Sequence, residues 1–92
     1  MPERLVTAKA RAVGTRQTLR AIERGAAEVV FVAQDAEERV TRPVVELARR
    51  RGIPCVPVES MSALGRYCSI NVGAAAAAIL RPELPQQAKV SG

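Results

Sequence analysis

Four long polar side chains, Arg16, Gln17, Arg20 and Arg24, are spaced to share one face of a helix. At about 100° per residue they span an arc of about 100°, while Leu19 and Ile22 turn toward a core. Such a face breaks no bonds; it holds a ligand. A guanidinium offers a planar fork to a phosphate or a guanine edge, and an amide both donates and accepts at the edge of a base. Immediately upstream, Gly14 permits a sharp turn and Thr15 can open the helix, leaving its first amides free to meet a phosphate or a base oxygen.

Other chemistry is poorly provided for. The chain contains no His, no nucleophile paired with a base and no GxxxxGK phosphate loop, so acid–base catalysis near neutral pH lacks its usual groups. Cys55 and Cys68 stand apart, without a CxxC spacing or a His partner, and read as buried free thiols rather than a zinc site or a redox pair. The expectation is a protein that is not an enzyme and takes no cofactor and no metal.

A net charge of +5 and a pI near 10.2 favour an anionic partner, above all nucleic acid. A protein-binding adaptor that docks an acidic partner is the rival reading. The aromatic residues are Phe31 and Tyr67, too few for the stacking platforms of RRM or OB-type modules. No apolar run of about 18 residues and no charged-then-apolar leader is visible, so no membrane partner is expected and the location reads as cytoplasmic. Ninety-two residues suit one domain that buries about 60 to 65% of its unfolded surface.

The elements that must position the polar face alternate between helix and strand. Residues 3–9 predict a short amphipathic helix and residues 10–13 a brief strand before the Gly14 turn. The helix over 15–24 stops at Gly25, and residues 28–33 form a strand buried on both faces. Residues 34–40 read as an acidic loop, after which Thr41 caps a helix with Pro43 in its first turn. That helix runs to Arg51 on a stripe of Val44, Leu47 and Ala48. Arg49, Arg50 and Arg51 are solvated cations at its C-terminal end, with RNA contact as the alternative. Residues 53–58 are a second buried strand, and Pro54 and Pro57 place it at or near a sheet edge. Ser60 caps a helix to Tyr67 or Cys68 that puts Met61 and Leu64 in the core. For residues 72–80, local propensity favours helix, but the alternation before it requires a closing strand, and strand is the reading taken. Pro82, Pro85 and the polar ending make a loose tail, giving a domain over 1–81 and a tail over 82–92.

Several ordered blocks then resemble one family, the kink-turn-binding ribosomal proteins of archaea and eukaryotes. They are Gly14-Thr15-Arg16-Gln17-Thr18-Leu19-Arg20-Ala21-Ile22-Glu23-Arg24-Gly25, Val30-Phe31-Val32-Ala33-Gln34-Asp35-Ala36, Val58-Glu59-Ser60-Met61-Ser62-Ala63-Leu64-Gly65 and Ile70-Asn71-Val72-Gly73-Ala74-Ala75. The likeness covers roughly residues 6–80. In length, and in a basic residue followed by Gln, the chain looks like the small bacterial members of the YbxF type.

The resemblance implies an α/β fold, a three-layer α/β/α sandwich with a four-stranded mixed sheet. It implies a monomer that binds structured RNA at a kink-turn, a duplex bent sharply at a short bulge beside sheared G·A pairs. Ribosomal RNA, a riboswitch or another transcript, and the ribosome itself, are the implied partners. Its RNA-binding residues would be Gly14, Thr15, Arg16, Gln17 and Arg20 at the G·A pairs, and Ile70, Asn71 and Val72 over a nucleotide flipped from the bulge. Relatives commonly carry Asn, Glu and Lys where this chain has Arg16, Gln17 and Arg20. Asn71 replaces a residue often acidic, and Ser69 a frequent Gly. A similar fold serves as the recognition domain of some RNA ribose methyltransferases, but this chain has no room for their cofactor-binding domain.

Overall fold

The computed structural model describes residues 10–81. Its sheet is built on the most apolar run of the chain. In β2 (Ala27–Ala33) every residue except Glu28 is buried, because helices cover both faces of the sheet. Val29, Phe31 and Ala33 enter one core cluster, and Val30 and Val32 enter another on the opposite face. Successive side chains of one strand thus bind two helical layers together.

The strand order is β1 (Arg11–Val13), β4 (Ala76–Leu80), β2, β3 (Cys55–Val58). β4 runs antiparallel to both its neighbours and β2 runs parallel to β3, so the sheet is mixed. α1 (Thr15–Glu23) and α2 (Glu38–Arg50) bury Ala21, Ile22, Val44 and Ala48 on one face. α3 (Met61–Tyr67) buries Ala63 and Leu64 on the other. The result is the three-layer α/β/α sandwich with a four-stranded mixed sheet that the resemblance implied.

The alanine run is strand, as read, although shorter than residues 72–80, and it lies in the interior of the sheet. Ala76, Ala77 and Ala78 are fully buried between helices on both faces, where only a minimal side chain lets both layers approach. Tertiary packing overrides the helix preference of alanine here. β3 lies at the sheet edge as its prolines required, but among its residues only Val58 is buried, so the expectation of a wholly buried strand fails.

Other boundaries move. α2 begins at Glu38 rather than at Thr41: the Val40 and Thr41 amides already donate to the Glu37 carbonyl, at 2.9 and 3.2 Å. Thr41 is a buried residue of the second turn whose hydroxyl donates back to the Glu38 carbonyl, and Pro43 lies within the helix on its exposed side. Leu19 is only partly buried, because the inward stripe of α1 is Thr18, Ala21 and Ile22. Met61, expected in the core, is 37% exposed as the first residue of α3. The helix expected over 3–9 and the tail over 82–92 lie outside the described residues.

Candidate nucleic-acid interface

Everything at one end of the sheet meets around the start of β4. The Gly14 amide donates to the Ala76 carbonyl at 2.8 Å, the Ala33 amide to Ala75 at 2.9 Å and the Gln34 amide to Val58 at 2.8 Å. The carboxyl ends of β1, β2 and β3 therefore stand beside the amino end of β4. The β1–α1 turn and the loop that enters β4 emerge at this same end.

Gly14 caps α1 at φ 98° and ψ 156°, a conformation that essentially only glycine tolerates. No side chain caps the helix start and its first turn holds no acidic residue. Thr18 is the first residue whose amide turns inward, to the Gly14 carbonyl at 3.0 Å. The positive end of the α1 dipole is thus left without compensation. Arg16, Gln17 and Arg20 are exposed beside it, whereas Thr15 and Gly14 are half-buried in the turn. Arg39 pairs with Glu37 and Arg42 with Glu38, whereas Arg16, Arg20 and Arg24 form no ion pair with a described residue.

The second piece is held by α3. The Ser60 hydroxyl accepts from the Ala63 amide at 3.0 Å, the capping role its sequence position indicated. The Asp35 carboxylate accepts from the Met61 amide at 2.8 Å, which ties the loop after β2 to the same helix start. At the far end the Arg11 guanidinium donates to the Tyr67 carbonyl at 3.1 Å. The chain then reverses through Ser69 at φ 64°, the left-handed region that favours glycine. The Ile70 amide returns to the Gly65 carbonyl at 3.0 Å and the Ala74 amide to the Met61 carbonyl at 3.0 Å, laying the loop across α3.

Gly65 is what allows that crossing. A Cβ at this position would overlap the carbonyl oxygen of Val72. Of the two apolar residues in the loop, Ile70 packs partly on the core, and Val72 projects with 71% of its surface exposed. Asn71 is exposed between them. Sequence reasoning passed over Asp35 and Gly65. An isolated Gly inside a helical pattern was the available signal for a close backbone approach, whereas a carboxylate reaching a helix start 26 residues away leaves no local trace.

Both cysteines are free, Cys68 buried at the end of α3 and Cys55 half-buried in β3. Burial pushes each thiol above its ordinary value of 9.0, against an opposing pull from Arg49 on Cys55 and from Arg11 on Cys68.

Fold and surface together define an α/β/α module with an uncompensated basic helix start and a projecting apolar loop at one sheet end. The family described as "Ribosomal protein L7Ae/L30e/S12e/Gadd45 family" matches residues 2–88. The chain belongs to that family. It is 43% identical over 79 residues to the RNA-binding protein YbxF of Geobacillus stearothermophilus, covering 86% of this chain and 96% of the relative. It is 46% identical over 68 residues to the large ribosomal subunit protein eL8 of Halobacterium salinarum, covering 73% of this chain and 57% of that one. Among solved structures, the Giardia lamblia 15.5kD RNA binding protein superposes with a TM-score of 0.72 at 28% identity, over 89% of this chain and 69% of its own.

Proposed function

We propose that this protein is a non-catalytic RNA-binding protein that recognises and stabilises kink-turns in structured RNA, ribosomal or ribosome-associated. The observation that carries the reading is one sheet end bearing both the exposed Arg16–Gln17–Arg20 face, unpaired among the described residues, and the projecting Val72. Family membership and relatives named as RNA-binding proteins support it.

The mechanism follows from the electrostatics of a bent duplex. Kinking draws two phosphate backbones together and stores repulsion, and cations placed beside them offset it. A protein that binds only the kinked shape shifts the population toward it by its differential affinity for the two shapes. Gly14 and Thr15 present the free amides of α1 to the RNA, Arg16 and Arg20 meet phosphates or a guanine edge, and Gln17 reads a base edge at the G·A pairs. Val72, with Ile70 behind it and Asn71 between them, covers the base extruded at the bulge. The protein acts as a cytoplasmic monomer formed by a domain over residues 1–81.

Arg16→Ala and Arg20→Ala test this by salt-dependent titration of kink-turn RNA. Each is expected to weaken binding and to lower the slope of log affinity against log salt by about 0.7 to 0.9 per lost phosphate contact. Unchanged affinity and slope in both would remove α1 from the interface. A protein partner that survives nuclease treatment and competes for the same face would favour the adaptor reading instead.

A further inference from the structure

We propose that the RNA interface continues along α1 to a second cluster of guanidiniums, in which Arg51 joins the two helix ends and Arg24 and Arg50 grip phosphates of a stem flanking the kink. The inference rests on the reading above that α1 meets a kinked RNA. Arg51 Nη1 donates to the Ile22 carbonyl at 3.3 Å, so the C-terminal turns of α1 and α2 abut. Arg24 is the C-cap of α1 and Arg50 is the last residue of α2, which puts both at that shared corner. All three arginines are exposed. Neither Arg24 nor Arg50 has an ion-pair partner among the described residues, although acidic residues such as Glu23 and Glu46 lie on the same helices.

Cations at a helix C-terminus complement its dipole, which accounts for some of this charge. It does not account for the row that leads there. Arg16, Arg20 and Arg24 recur every four residues along one exposed face of α1. At 1.5 Å per residue they cover about 12 Å from the Gly14 turn to the corner. A duplex presents several phosphates over that length. Contacts of this kind add affinity and fix orientation without reading sequence, so selection stays with the kink and grip is supplied by the stem. Arg51 is engaged at the end of α1, leaving Arg24 and Arg50 as the contacts to remove.

The experiment titrates the wild-type protein and Arg24→Gln/Arg50→Gln, across salt, into a kink-turn RNA with long stems and into the same kink trimmed to the shortest stems that still pair. With the long RNA the variant is expected to bind more weakly, with a salt slope lower by about 1.4 to 1.8 for two lost contacts. With the trimmed RNA it should match the wild type, and Arg24→Lys/Arg50→Lys should keep the wild-type slope on both. An unchanged slope on the long RNA would overturn the proposal and leave the cluster as solvated helix ends. An equal loss on both RNAs would also overturn it, by placing these arginines at the kink. A wild-type protein that does not distinguish the trimmed kink from a control with its G·A pairs replaced would instead refute the underlying kink-turn reading, a result separate from any effect of the variant.

Discussion

Ser69 holds a left-handed conformation that costs a residue with a Cβ about 1 to 2 kcal/mol. Glycine avoids that cost but loses about 0.5 to 1 kcal/mol of chain entropy on folding. Ser69→Gly is therefore expected to stabilise the protein by up to about 1 kcal/mol, a rise of a few degrees in Tm by circular dichroism; a lower Tm would show that the reversal does not strain the chain. The resemblance implied a Gly where this chain has Ser69, whereas the positive φ was not legible in the sequence. Gln17 bears on specificity instead. Gln17→Ala is expected to cost roughly 1 to 3 kcal/mol on RNA with intact G·A pairs and little on RNA without them. Gln17→Glu, which accepts but cannot donate, should sharpen the discrimination between the two RNAs. Equal losses on both in a competition assay would show that Gln17 contacts RNA without reading the G·A pairs, and no loss on either would make it a solvated bystander.

The loop over 69–73 depends on α3 as a platform. Gly65→Ala would drive a methyl group into the Val72 backbone, so the loop or the helix must shift. A loss of about 1 to 3 kcal/mol in chemical denaturation is expected, together with weaker binding to kinked RNA although Arg16, Gln17 and Arg20 are untouched. Native stability and binding would show that the loop tolerates the methyl. Thr18 is the contrasting case, fully buried in α1 with a hydroxyl that has no hydrogen-bond partner among the described residues. Thr18→Val keeps the shape and removes the orphaned group, and a gain of about 1 kcal/mol is expected without loss of RNA affinity. Elements with a strong local signal were read correctly, among them Gly14 before α1, Gly25 after it and Ser60 before α3. Errors arose where distant residues decide. The start of α2 lies three residues before Thr41 because the backbone of Glu37 supplies the first acceptor, and Met61, the first residue of α3, stays exposed at the helix start that Asp35 holds. The alanine run was settled by the sheet's need for a strand, since its own composition pointed the other way.

Charge and burial act on the molecule as a whole. Both thiols titrate above 9.0 in the folded state, so folding favours their protonated forms. That contribution is fully present below 9.0 and is lost as pH rises through the folded values, because the unfolded thiols ionise first. Stability in urea should therefore fall at alkaline pH, and less steeply in Cys55→Ala/Cys68→Ala; identical pH dependence would exclude the thiols as its source. The net charge of +5 guarantees some affinity for any RNA, so affinity by itself cannot distinguish recognition of shape from attraction of charge. Bending can. The measurement that separates them is titration of the protein into an RNA duplex labelled at both ends and carrying a kink-turn, followed by energy transfer, beside a control with its G·A pairs replaced. Tight binding with shortening of the end-to-end distance in the kink-turn RNA alone is the expected result. Equal, weak and unbent binding to both RNAs would contradict kink-turn recognition and leave a generic basic surface.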